Sequence, residues 1–206
     1  MLKNLKVGTK LIVILVAPVL VLLGLAWVGA SSRLDAAGNA ARVGELTQYS
    51  QANAALAYQL EIEGLYSAEY MASLKKAGDA ELKEQRLKTD AAKKSYEDAV
   101  KTYDPGRGYP AVQEALKRVD GRLVSLSVNR NSVDAIQTDP TNAIEQYSNT
   151  IEALLKVNQE ISRTITEPNL ARDFQSFVNM QAIGYNRSKE AMYATAVVAV
   201  GYYPQQ

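Results

Sequence analysis

The chain of 206 residues contains no cysteine and no histidine. Without cysteine it has no disulfide bond, no thiol nucleophile and no lipid attached through a cysteine, and without histidine it has no imidazole base. The two absences together exclude a zinc site built from the usual nitrogen and sulfur ligands. We therefore expect a protein that is not an enzyme, that needs no cofactor and no metal, and whose fold is held by packing alone.

Charge is missing from one long run, which extends from Leu11 to Ser32. Residues 11–30 are almost wholly apolar, and as a helix they would extend about 30 Å, the thickness of the bilayer hydrocarbon core. Three lysines precede them: Lys3, Lys6 and Lys10. Because positive residues stay on the cytoplasmic side, we expect a single-pass protein of the cell membrane with an extracytoplasmic body. The predicted divisions are a cytoplasmic N-terminus over 1–10, a transmembrane helix over 11–30 and a helical body over 31–206.

A cleavable signal peptide is the alternative to this anchor. Val28 and Ala30 are small enough to lie three positions and one position before a cut that follows Ala30. An apolar run of about 20 residues exceeds the usual 7 to 15 residues of a signal peptide, and this favours the anchor.

The body beyond the anchor has a small negative charge. Of the 23 Lys and Arg residues, three lie before the apolar run, which leaves 20 against all 22 Asp and Glu residues, a net charge of minus 2. Phosphate binding requires a clustered positive field, so we expect no nucleic-acid partner.

Prolines and polar breaks divide the body into helical stretches, and no stretch alternates with the period of a strand. The predicted helices are 32 to about 74, Asp79–Tyr103, Pro110–Gln137, Pro140–Thr166 and 168 to about 200. Pro110, Pro140 and Pro168 each suit the first turn of a helix, and Asp139 suits an N-cap. Short connections favour antiparallel neighbours. The sequence therefore predicts an all-α protein, in which an N-terminal transmembrane helix is followed by an up-and-down antiparallel helical bundle.

Apolar side chains recur with the heptad spacing on two of these helices. The third helix has Val112, Leu116, Val119, Leu123 and Leu126, and the fourth has Ile144, Tyr147, Ile151, Leu154, Asn158, Ile161 and Ile165. On the last helix small residues recur instead, at Gly184, Ser188, Ala191 and Thr195. We expect the first two patterns to face the core and the third to allow close approach of a neighbouring backbone.

Two polar residues occupy positions where these patterns call for apolar ones. Arg130 must pair, reach solvent or hold an anion, because an unpaired buried guanidinium costs several kcal/mol. Asn158 is suited to a polar contact that fixes helix register. If both line one pocket, a small anionic or polar ligand is the natural occupant.

Three stretches carry motifs that occur together in one protein family. Leu60–Tyr70 is similar to that family's Leu-x-x-Glu-Arg-Gly-x-Ser-x-x-Tyr helix, and Gln85-Arg86 with Thr89-Asp90 is similar to its Gln-Arg-x-x-Thr-Asp motif. The third stretch is Tyr147-x-x-x-Ile151-x-x-Leu154-Leu155, together with a Ser-Lys-Glu-Ala-Met sequence over 188–192 that is similar to the family's closing Ser-x-Glu-Arg-Ala helix. Together the three stretches resemble the nitrate- and nitrite-sensing (NIT) domain of bacterial membrane receptors of the sensor histidine kinase type.

The resemblance implies a sensor bundle in which both Glu-Arg pairs supply an arginine. Arginine suits a planar oxyanion because its fork donates two parallel hydrogen bonds. Here the pairs are Glu63-Gly64 and Glu190-Ala191, so both glutamates are present and both arginines are absent. We therefore expect no nitrate site of the family type, and the candidate ligand residues that remain are Arg86, Arg130 and Asn158.

The favoured hypothesis is a membrane-anchored extracytoplasmic sensor domain that provides signal input to a receptor. The alternative is a structural or adaptor bundle that binds another membrane or envelope protein through its helical faces. The membrane, a small ligand, a protein partner and a second copy in a homodimer are the partners that the pattern accommodates. NIT receptors usually continue to a second membrane span and an output module, so the chain is either the N-terminal part of a longer receptor or a stand-alone bundle.

Overall fold

The computed structural model describes residues 41–202, and this range contains five helices joined by short turns and no strand. The helices are α1 (residues 41–72), α2 (Asp79–Tyr103), α3 (Pro110–Ala135), α4 (Pro140–Ser162) and α5 (Pro168–Tyr202). The predicted all-α class is confirmed, and α2 has the predicted bounds. The predicted N-terminus over 1–10 and transmembrane helix over 11–30 lie outside the described residues. Within residues 41–202, no helix combines the length and the apolar character that a membrane span requires.

The helix ends follow from local chemistry. Gly78 precedes α2 with a φ of 82°, a left-handed conformation that glycine adopts without steric cost. Pro110 and Pro140 lie in the first turns of α3 and α4, as predicted. The Asp139 side chain accepts a hydrogen bond from the backbone N–H of Asn142 at 3.0 Å, which confirms it as the N-cap of α4.

The chain divides into two units, Met1–Gly44 and Glu45–Gln206, and the bundle is the second. In the bundle α4 packs against both α3 and α5. The ring contact between Tyr49 and Tyr96 and the hydrogen bond between Gln59 and Gln85 show that α1 and α2 are antiparallel, as the up-and-down prediction requires. α5 runs parallel to α1, as the first and fifth helices of an up-and-down bundle do. Ser188 contacts Glu61, and one turn later along α5 Met192 reaches Gly64.

The predicted apolar faces of α3 and α4 form the core. Val112, Val119, Leu123 and Leu126 of α3 are buried and Leu116 is half-buried. On α4 the predicted residues from Ile144 to Ile161 are completely buried, whereas Ile165 lies beyond the end of the helix and is half-buried. These faces exclude water from the centre of the bundle, so a charged group placed there needs a protein partner.

The small residues of α5 lie against α1 at Ser188 and Ala191, but they do not form the buried face of the helix. Gly184 is exposed, and a Cβ built on it would meet no atom within 4 Å. The buried face of α5 is formed by four other residues, three of which each follow a small residue by one position: Val178, Tyr185, Met192 and Ala196. Val178, Tyr185 and Met192 give this face most of its buried apolar surface, more than glycine or serine would.

Candidate functional site

A completely buried carboxylate marks the polar centre of the bundle. Glu63 of α1 has no solvent exposure. Arg130 of α3 donates to both of its oxygens, from Nε to Oε1 at 2.7 Å and from Nη2 to Oε2 at 2.8 Å. This two-pronged geometry is the strongest that an arginine and a carboxylate form. An ion pair thus replaces the hydration that Glu63 loses on folding.

The predicted pairing of Arg130 is therefore found, and its partners are carboxylates. Besides Glu63, Arg130 donates from Nη1 to Oδ1 of Asp90 on α2 at 2.7 Å, and its side chain is only 16% exposed. Burial acts to lower the pKa of Arg130, but the hydrogen bonds and negative charges of Glu63 and Asp90 outweigh it and raise the pKa above its usual range. The guanidinium is therefore charged at neutral pH.

A tyrosine of α4 completes the coordination of Glu63. Tyr147 is buried and donates its hydroxyl hydrogen to Oε1 of Glu63 at 2.8 Å, while Ser67 of α1 donates to the Tyr147 hydroxyl oxygen at 3.1 Å. Burial, followed by the nearby Glu63 carboxylate, raises the pKa of Tyr147 well above its ordinary value. Tyr147 is therefore a permanent hydrogen-bond donor, and it links α4 to α1.

Arg86 of α2 lies beside this pair and is bound more loosely. Its Nη1 contacts Asp134 of α3 at 2.8 Å, and its Nη2 reaches the carbonyl oxygen of Arg130 at 3.5 Å. Its buried Nε lies 3.9 Å from Oε1 of Glu63 and has no hydrogen-bond partner among the described residues. Arg86 thus adds positive charge near Glu63 without a direct hydrogen bond to it.

These side chains come from four helices and form one group, which we call the Glu63 cluster. Its members are Glu63, Ser67, Arg86, Asp90, Arg130, Asp134 and Tyr147. Two guanidinium groups face three carboxylates, so the net charge of the cluster is minus 1. An anion could replace the observed partners of Arg130 only by displacing a carboxylate.

Asn158, the third candidate ligand residue, lies elsewhere. It is eleven residues from Tyr147 along α4, which corresponds to about 16 Å at the rise of an α-helix. Its Nδ2 donates to Oε1 of Gln181 on α5 at 2.9 Å and lies 3.4 Å from Oδ1 of Asn53 on α1. The structure does not bring Asn158 and Arg130 into one pocket, and Asn158 makes the polar contact between helices that its position predicts.

Gly64 and Ala191 follow Glu63 and Glu190, and they occupy the positions where the family motifs have arginine. They lie on facing segments of α1 and α5. A Cβ built on Gly64 would approach the sulfur of Met192 to 2.5 Å and Tyr147 to 3.4 Å, so the space beside Gly64 is filled. Ala191 is exposed and lines a small, mainly apolar pocket next to Glu61 and Leu65 of α1. Glu190 is exposed, unlike its counterpart Glu63.

The sequence and the fold of this bundle are both similar to known proteins. The family model described as nitrate and nitrite sensing matches residues 55–206. The chain belongs to the NIT family. No curated protein sequence matches this chain.

The bundle is also similar to a solved structure, that of the NasR transcription antiterminator. The two share 18% sequence identity with a TM-score of 0.72, over 81% of this chain and 45% of that one. At this identity the likeness shows a shared fold. The chain matches less than half the length of that protein.

The contacts within the bundle account for the spacing of the Gln-Arg-x-x-Thr-Asp motif. The Gln-Arg-x-x-Thr-Asp motif directs Arg86 and Asp90 into the Glu63 cluster, while Gln85 and Thr89 both donate to the backbone oxygen of Gln59, at 3.0 and 3.3 Å. The motif therefore fastens α2 to α1 on one face and supplies charge on the other.

Sequence reasoning identified Arg86, Arg130 and Glu63 but missed the partners that neutralise them. The sequence shows Asp90 only as part of a motif, and it shows Tyr147 as a residue of an apolar face and of a stretch similar to the family, without indicating its contact with Glu63. The hydroxyl of a fully buried tyrosine usually finds a hydrogen-bond partner, and that requirement was the available signal. Nothing in the sequence indicated Asp134, because its contact with Arg86 joins residues that are 48 positions apart.

Proposed function

We propose that the chain is a signal-input domain, anchored in the membrane by residues 11–30, and that it does not sense nitrate through the arginine pair of its family. The sensing role follows from membership of the NIT family. The Glu63 cluster carries the second part of the proposal, because both arginines of the polar centre are already neutralised by carboxylates.

The space beside Gly64 supports the same conclusion. An arginine at position 64 would collide with Met192, which stands where the family motif has alanine. The motif positions thus differ together: a small residue replaces arginine on α1, and a large residue replaces alanine on α5. Met192 is completely buried, so its side chain occupies core volume that a guanidinium would need.

Thermal unfolding of the full chain in detergent, with nitrate or with chloride at equal ionic strength, tests this proposal. A ligand at about a hundred times its Kd stabilises a protein by about 2.7 kcal/mol, which corresponds to about 5–11 °C for a bundle of this size. We expect the wild-type chain to show no difference between the two salts. A saturable shift with nitrate alone would contradict the proposal.

A matched variant tests whether the absent guanidinium groups are the reason that nitrate does not stabilise the chain. The triple substitution Gly64→Arg, Ala191→Arg and Met192→Ala restores both Glu-Arg pairs and clears the space that they need. We expect this variant to gain a shift with nitrate that it does not show with chloride. Met192→Ala alone serves as the control, since it opens the space without adding charge.

The membrane topology rests on the charge pattern around residues 11–30. Alkaline phosphatase fused after Gln206 should be active, since that enzyme works only outside the cytoplasm, and green fluorescent protein fused at the same position and exported through the general secretory route should be dark. The opposite pair of results would place the body in the cytoplasm and remove the extracytoplasmic part of the proposal.

An adaptor role is the second candidate, and the outer face of α5 favours it. Met180, Ile183, Val197 and Val198 are large apolar side chains that are each more than half exposed. Photo-crosslinking from position 183 in intact membranes should capture a protein if this face binds one. Position 87 on α2 is the control, since Leu87 is also a large apolar side chain that is more than half exposed but lies on another helix.

A further inference from the structure

A polar groove runs between α3 and α4, on a part of the bundle that the Glu63 cluster does not use. Its main cavity has a volume of about 420 Å³, which lies in the range of about 300–1,000 Å³ usual for small-molecule sites. The cavity is lined by Ser125, Val128, Asn129, Ser132, Thr138, Asn142 and Gln146. A smaller hollow of about 10 Å³, the size of one water molecule, continues it toward Arg122 and Thr150 and shares Ser125, Asn129 and Gln146.

Asn129 lies where the two cavities meet, and it is incompletely satisfied. It occupies a position on the buried face of α3 between Leu126 and Val133, and it is only 9% exposed. Its amide nitrogen is buried and has no hydrogen-bond partner among the described residues. A buried amide donor without an acceptor is costly, so the site gains stability from any molecule that brings an acceptor oxygen.

The lining of the main cavity selects the kind of molecule. Three side chains carry hydroxyl groups, three carry amides, and none is charged. An ionic ligand would lose hydration there and meet no counter-charge, whereas hydroxyl groups both donate and accept, as serine, threonine and amide side chains require. Val128 and the aliphatic parts of the other side chains offer contact to carbon-bound hydrogens.

We propose that the α3/α4 groove binds a neutral, hydroxyl-rich small molecule, such as a polyol or a monosaccharide, and that the Asn129 side chain turns toward the cavity so that its amide donates to one of the ligand's oxygens. This binding does not depend on the proposed sensing role, since it can be measured whether or not the chain transmits a signal. It also does not involve the Glu63 cluster, whose arginines come from the other side of α3 and from α2.

Saturation-transfer NMR on the full chain in a sugar-free detergent tests the proposal. The neutral probes are sorbitol and methyl glucoside, and the charged analogues are gluconate and glucosamine. Thermal shift is unsuitable here, because polyols stabilise proteins by exclusion from their surface without binding. We expect saturable transfer to a neutral probe and weaker transfer to both charged analogues.

Variants locate the site. Asn129→Leu should weaken binding of the neutral probe by about tenfold, because it removes the donor and narrows the cavity. Ser125→Ala, on the exposed rim, should weaken it less, and Ser95→Ala should leave it unchanged. Ser95 is a matched control, since Ser95 and Ser125 are exposed helical serines that donate to a backbone oxygen four residues earlier at 3.1 Å.

Three results would overturn the proposal. They are no saturable transfer to either neutral probe, equal binding by Asn129→Leu and the wild type, and binding of a charged analogue alone. If Asn129→Leu loses its helical circular dichroism, Ser125→Ala against Ser95→Ala makes the same comparison, and equal binding by these two variants would then contradict the site.

Discussion

Loss of the Glu63–Arg130 ion pair should destabilise the bundle more than any other single change considered for it. Glu63→Gln keeps the shape of the side chain and removes its charge. Arg130 then remains in a buried site with Asp90 as its one remaining carboxylate partner, and the charge of Arg86 is close by. Breaking a buried pair by removing one partner costs about 3–5 kcal/mol. For a bundle of this size the midpoint of thermal unfolding should fall by about 6–20 °C.

Circular dichroism of the full chain in detergent is the suitable assay. The sole tryptophan, Trp27, lies in the apolar N-terminal run, so tryptophan fluorescence would not follow unfolding of the bundle. Glu190→Gln is the matched control, because Glu190 is the glutamate of the second family pair and is exposed. We expect this substitution to change the free energy of unfolding by less than about 0.5 kcal/mol.

A double variant separates the loss of the pair from other effects. In Glu63→Gln with Arg130→Met, the amide oxygen still accepts from Tyr147, Asp90 is half exposed and stays hydrated, and no unpaired guanidinium remains. The double variant should therefore be more stable than Glu63→Gln alone. A single variant within about 1 kcal/mol of the wild type, or a double variant that is no more stable than the single one, would refute the reasoning.

Three further outcomes follow from the structure. Gly64→Ala gains about 1 kcal/mol of helix propensity but adds a methyl group that must displace the end of the Met192 side chain, so it should raise stability less in the wild type than in Met192→Ala; an equal effect in both backgrounds, measured in urea, would contradict the contact. Asp139→Ala should cost about 1 kcal/mol by removing the N-cap of α4, measured by the same denaturation, and no loss would argue against the cap. Burial raises the pKa of Glu61 above 4.5, so its contribution to stability is present below that pH and is lost as the pH rises through the folded pKa; relative to Glu61→Gln, the wild type should lose stability as the pH rises from 4.5 through the folded pKa of Glu61, and a constant difference would exclude the shift.

Much of the architecture could be predicted because helices have strong local signals. Proline in a first turn, an aspartate N-cap and a 3.5-residue apolar repeat act within a few residues of one another, so α2, α3 and α4 begin where the sequence predicts. The small-residue pattern on α5 misled for the opposite reason. Spacing alone does not say which face a neighbour covers, and here Tyr185 and Met192 are buried instead of Gly184.

The order of the residues is enough to predict a helical bundle without cysteine or histidine chemistry, to relate it to nitrate-sensing domains by its motifs, and to show that two arginines of those motifs are absent. Tertiary structure alone decided the state of the arginines that remain. Arg130 could have been solvated, free to bind an anion or paired, and the choice depended on Glu63, 67 positions away. Arg130 is paired because packing places the completely buried carboxylate of Glu63 beside it, and a buried charge is stable only next to a charge of opposite sign.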